Sequence, residues 1–213
     1  MDQKFLFKRE FEGRFRLWHW LMALCVFGLL LTGLLRETYL NSGKNGQIIS
    51  AKLSELNISI DKKDAKNIAA EIRNPMWQWH YNFGFGLLGI AIFGIYVRKS
   101  CQGSCPIEKA KSALIELKER AGEEDKKQIR EFFIIKLSHS MFFVLLLVMM
   151  LTGFAMFFKD SLGLPKDLLG LFKEAHELGL WFVLLFVVTH IVGVVKKELT
   201  TESGLISSII GGK

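Results

Sequence analysis

The feature that most constrains this chain is where its charges are not. Four stretches, 17–35, 81–97, 137–158 and 178–195, contain no Asp, Glu, Lys or Arg. A bilayer core of ~30 Å takes roughly 17–25 apolar residues as helix, and all four stretches fit. A soluble amphipathic helix would need a polar face, and these have none. The pattern predicts an all-α integral membrane protein: a four-transmembrane-helix bundle forming one membrane domain over 1–213. Loop 36–79 joins the first pair, loop 98–136 the middle two and loop 159–175 the last pair. Half of the 213 residues are hydrophobic, as such an architecture requires. The first run follows a basic segment, as a signal peptide does. It is longer than a usual signal core, and "GLLRETYLNSG" offers no small-x-small cleavage site, so it reads as a retained span.

Orientation follows from Lys and Arg in the connections. The N-terminal segment, loop 98–136 and the C-terminal tail together hold eighteen, against ten in loops 36–79 and 159–175. Both termini are therefore expected in the cytoplasm, with 98–136 as the inner loop and 36–79 as the outer one. The net charge of +7 is mostly this topological signal. It lacks the basic face with readout chemistry that nucleic-acid binding needs. Cys25 lies within the first span as a small apolar residue. Cys101 and Cys105 form a C-x3-C in the inner loop, where thiols stay reduced. Two thiolates do not complete a zinc or iron–sulfur site alone. Plain thiols, or ligands shared with a partner, are the readings for them; with the topology inverted they would form a small disulfide loop.

The loops carry weaker signals. In the outer loop Asp61 is a plausible N-cap, and Ile68, Ala69 and Ile72 give a short apolar stripe that Pro75 is expected to stop. In the inner loop Pro106 opens a stretch with Ala110, Ala113, Leu114 and Leu117 at helical spacing. That stretch suits the membrane surface or a partner, with Gly122 as a breaker. The tail "SGLISSIIGGK" is weakly amphipathic.

The chain also repeats itself. "RLWHWLMALCVFGLLLTG" from Arg16 and "KLSHSMFFVLLLVMMLTG" from Lys136 share a basic residue, a histidine three places on and a closing Leu-Thr-Gly. The second and fourth runs are each preceded by a histidine, His80 and His176. A helix-hairpin duplication accounts for the match better than convergent membrane composition does.

All five histidines sit in or at the mouth of a span. Ionisable residues at membrane depth are costly and mark function. His176 and His190 are fourteen residues apart, so on one helix they project within about 40° of each other and ~21 Å apart along the axis. That spacing forbids one metal site holding both, and suits two cofactors stacked across the membrane. Haem held by two imidazoles is an apolar disc that fits a helix bundle. Depth then supplies the partners: His19 lies at the level of His190 on the inner side, and His80 at the level of His176 on the outer side. Gly28 and Gly33 on the first span, and Gly84, Gly86, Gly89 and Gly94 on the second, would give a porphyrin clearance or simply let helices pack. Arg14, Arg16, Arg36 and Arg73 are candidates for the haem propionates, or topology charges. Trp18, Trp20, Trp77, Trp79 and Trp181 flank the spans as interfacial aromatics do.

"RLWHW" at the mouth of the first span, a histidine opening the second and two histidines fourteen apart on the fourth carry a resemblance. Over about residues 14–197 the chain resembles the di-haem cytochrome b subunits of respiratory nickel-iron hydrogenases and formate dehydrogenases. That superfamily includes bacterial cytochrome b561 and thiosulfate-reductase-type cytochromes b. The resemblance implies two haem b groups with iron ligands His19, His80, His176 and His190. It implies a prokaryotic inner-membrane location and electron transfer between quinone and an iron-sulfur or multihaem subunit of a larger complex outside the cytoplasm. His139, the repeat counterpart of His19, has three readings. It forms a quinone site with Lys136, replaces His19 as partner of His190, or makes an interhelical or propionate hydrogen bond. The competing functions are a stand-alone membrane oxidoreductase acting on superoxide or ferric iron, and a haem-free anchor or carrier.

Overall fold

A computed structural model describes residues 13–100, 115, 123–200 and 203–211. Every regular element among the described residues is helical: α1 (Gly13–Glu37), α2 (Ser42–Glu55), α3 (Lys62–Ser100), α4 (Glu123–Phe157), α5 (Lys159–Leu162), α6 (Lys166–Thr200) and α7 (Leu205–Ile210). Four of them, α1, α3, α4 and α6, are long and apolar enough to cross a membrane. Three of them contain their uncharged runs and continue past both ends; α4 begins well before the third run and stops one residue short of its end, at Phe157. The histidines expected at the mouths of spans two and four therefore lie inside helices rather than at their ends. The inner-loop stretch 106–114, Gly122, Cys101 and Cys105 fall outside the described residues.

The chain forms two compact units. One is built from residues 17–91, and the other from 1–16 with 92–213. In the first, α1 and α3 run antiparallel. The buried Trp18 indole donates to the Ile90 carbonyl (3.1 Å). One turn and more further on, Gly86 lies against Cys25, and Gly28 lies against the Phe83 ring. Those two glycines thus serve helix packing, the blander of their two readings. A Cβ at Gly84 or Gly89 would meet nothing within 4 Å.

Helix α2 was not legible as an element. Asn41 caps it, its side chain accepting from the amides of Gly43 and Lys44 (3.1 Å each). It ends with Asn57 in the left-handed region (φ 59°), where the Ile58 amide reaches back to the Leu53 carbonyl (3.0 Å). Gly46 brings α2 onto the backbone of α3, where an added Cβ would stand 3.0 Å from Lys66 Cα. Ala65 and Ala69 are buried on the adjoining turns of α3.

Pro75 does not stop this helix; it sits within α3. Proline removes one amide and crowds the carbonyl four residues back. Here the turns before it are held by α2, and those after it by α1 through His80 and Phe83. Packing on both sides outweighs the local penalty.

In the second unit α4 and α6 run antiparallel. Phe142 stacks on Phe186 (centroids 3.9 Å, planes 9° apart), and Gly179 lies against Met149. Gly163 (φ 59°) ends α5, and Pro165 immediately precedes α6. The tail turns back into α7 because the Glu198 carboxylate accepts from the amides of Gly204 (2.9 Å) and Ile206 (2.8 Å).

Candidate functional site

Within each unit the chemistry-bearing side chains lie on the facing sides of two paired helices. In the first unit His80 is half-buried on α3, its Nδ1 2.8 Å from Thr32 Oγ1 on α1. Trp77, one turn before His80, meets its ring edge-on (5.1 Å). The Arg36 and Arg73 guanidinium groups both lie over Trp77, at 5.8 and 6.0 Å. Arg36 also pairs with Glu37 (2.6 Å), and Arg73 donates to Ser42 (3.2 Å). At the other end of α1, half-buried His19 lies edge-on to Trp20 (5.5 Å).

The second unit repeats the first of these contacts. His176 Nδ1 lies 3.0 Å from Thr152 Oγ1, and Thr152 is as buried as Thr32. The glycine of the same Leu-Thr-Gly triplet makes room for the ring: a Cβ at Gly153 would stand 3.2 Å from His176 Cε1. Near the opposite end of α6, His190 stacks on Phe186 (5.7 Å, 15°) and meets His139 edge-on (5.1 Å, 78°). His139 Nδ1 lies 2.7 Å from the Ile135 carbonyl of its own helix. A carbonyl only accepts, so His139 carries its proton on Nδ1. Lys136, half-buried, precedes His139 by three residues on α4.

Among the described residues no three His, Cys, Asp or Glu side chains converge as a metal cluster would require. A family model for prokaryotic cytochrome b561 matches residues 10–212, nearly the whole chain. The chain belongs to that family. The cytochrome is similar to a protein of Cupriavidus necator described as "Probable Ni/Fe-hydrogenase B-type cytochrome subunit", at 23% identity over 95% of this chain and 84% of the relative. No solved structure matches it. Membership makes the chain a multi-pass protein of the prokaryotic inner membrane, a b-type cytochrome that takes part in electron transfer.

The residues present suit haem b. The cytochrome brings imidazoles, the axial donors of such groups, and no competing cluster among the described residues. Among the described residues two arginines retain a buried N–H with no hydrogen-bond partner: Nη1 of Arg16, three residues before His19, and Nε of Arg73, seven before His80. Those intervals put each arginine on the face of its histidine, one or two turns nearer the helix end. A carboxylate there would satisfy a donor otherwise costly to bury. Arg14, by contrast, is exposed. Gly84, one turn inward from His80, faces open space.

The histidines were legible in the sequence and Trp77 only as an interfacial aromatic, while Thr32, Thr152, Phe142 and Phe186 were not singled out. The two threonines had a signal. They are the middle residues of the repeated triplet.

Proposed function

We propose that the cytochrome holds two haem b groups and carries electrons between the quinone pool and an iron-sulfur or multihaem redox subunit of a larger complex. The observation that carries the reading is the continuity of α6 through both His176 and His190. One uninterrupted helix of 1.5 Å per residue offers two imidazoles on one face, ~21 Å apart in depth. His190 with His19 would hold the inner haem, and His176 with His80 the outer one. Arg16 and Arg73 would bind propionates; Arg36 and Arg14 are weaker candidates for the same task. Each haem supplies a one-electron ferric–ferrous couple, while the chain supplies ligation, spacing and electrostatics. The hydrogenase-subunit description of the relative supports a docked redox partner.

His139 belongs to the quinone in this reading. His139 meets His190 edge-on with ring centroids 5.1 Å apart, which puts it beside the proposed inner haem ligand. With its proton on Nδ1, His139 can take a proton from a quinol hydroxyl at Nε2, and Lys136 supplies positive charge for a quinone oxygen. Proton exchange there would take place on the cytoplasmic side.

The test is a reduced-minus-oxidised visible spectrum of detergent-purified protein with pyridine haemochrome quantitation. Two haems b per chain, each lost with its own histidine pair, are expected. One haem would overturn one of the two pairs, and none would overturn the reading. Co-purification of a redox subunit tests the partner. A lone protein that oxidises superoxide or reduces ferric iron would replace it.

A further inference from the structure

Thr32 and Thr152 take no part in the ligation or quinone chemistry proposed for the cytochrome. Both are buried in apolar helices, and each holds its hydroxyl against its own backbone. Thr32 Oγ1 lies 2.8 Å from the Gly28 carbonyl and 3.0 Å from that of Leu29. Thr152 Oγ1 lies 2.8 Å from the Val148 carbonyl and 3.2 Å from that of Met149. A hydroxyl has one proton, and these carbonyls can only accept. With that proton directed at the helix backbone, the oxygen faces the neighbouring histidine as an acceptor. His80 (2.8 Å) and His176 (3.0 Å) must then donate from Nδ1.

We infer that Thr32 and Thr152 are positioning residues that fix His80 and His176 as Nδ1–H tautomers, so that Nε2 of each ring is the nitrogen that takes a haem iron. The inference rests on the di-haem reading for the iron, but not for the tautomer. A neighbouring helix has few ways to do this. Its backbone carbonyls are engaged in its own helix, so a side-chain oxygen must reach across. Threonine does so without leaving a polar hydrogen in the apolar phase. The Nδ1–H···O bond also raises the basicity of the ligand nitrogen, which favours the ferric state. Both bonds act on the proposed outer pair, so the inner haem serves as an internal control.

The experiment compares Thr32→Val and Thr152→Val with Thr32→Ser and Thr152→Ser in the full-length protein. Nitrogen-15 histidine NMR on haem-depleted protein reads the tautomer. Redox titration and haem content of the loaded protein read the consequence. Each valine variant should release its histidine from the Nδ1–H tautomer, and raise the potential of one of two haem components while leaving the other in place. It should also weaken binding at that site by about 10–100-fold. Serine should restore all three. Unchanged tautomers in the valine variants, or equal losses with valine and serine, would overturn the inference. Wild-type protein without haem would instead overturn the di-haem reading, and the NMR comparison would still decide the tautomer.

Discussion

Gly28 and Gly84 occupy similar apolar surroundings in the sequence, yet an added methyl group meets different neighbours at each. At Gly28 it would stand 2.6 Å from the half-buried Phe83 ring, which would have to shift and give up its packing between the helices. Gly28→Ala should cost about 1–3 kcal/mol of stability, read as thermal unfolding in detergent. Gly84→Ala should leave the haem-depleted protein unchanged, because the space beside it is open. If a porphyrin occupies that space, haem content should fall in the same variant. Gly153→Ala stands between these cases: it should push the His176 ring by a few tenths of an ångström and disturb one haem of two, visible as a shift in one spectral component. The histidines were legible at this scale because imidazole is rare at membrane depth. The threonines were not. A threonine in an apolar helix can satisfy itself on the carbonyl four residues back, so nothing in the sequence says that its oxygen also serves another helix.

At the scale of elements, counting apolar residues measures the bilayer rather than the helix. The runs 81–97 and 178–195 were found, but α3 begins at Lys62 and α6 at Lys166. Their polar first turns look like loop when hydropathy is the only guide. Pro75 misled for a related reason: its local penalty is real, and contacts on both sides of it override the penalty. Helix α2 was missed because "SGKNGQIISAKLSE" has two glycines and little periodicity. It depends on Asn41 and on close approach at Gly46. Asn41→Ala should cost about 1 kcal/mol, seen as faster hydrogen exchange at Gly43 and Lys44. Gly46→Val should detach α2 from α3 and open 42–55 to proteolysis, because the atoms it would strike are backbone.

For the whole molecule, the apolar surface left outside is as telling as the interior. Along α6, Leu178, Phe182, Leu185, Val188 and Val192 form an exposed stripe, with Leu185 60% exposed. Lipid or an apolar partner must cover it. Leu185→Arg should cost about 3 kcal/mol of insertion and reduce the amount recovered in the membrane fraction. The charge asymmetry makes a separate prediction. A membrane-impermeant maleimide should label Cys101 and Cys105 in inverted vesicles and spare them in right-side-out ones; the reverse pattern would invert the topology.

The continuity of α6 has an arithmetic consequence. A helix that carries two ligands is a ruler with two marks, and its graduations are angular as well as linear. One residue inserted between His176 and His190 turns one mark by about 100° against the other, so both cofactors cannot be served at once. Seven inserted residues bring the marks back to nearly the same face, but ~10 Å further apart, too far to match a bilayer of fixed depth. The chain between these two histidines can therefore exchange one apolar residue for another on its lipid-facing side, but can change its length hardly at all.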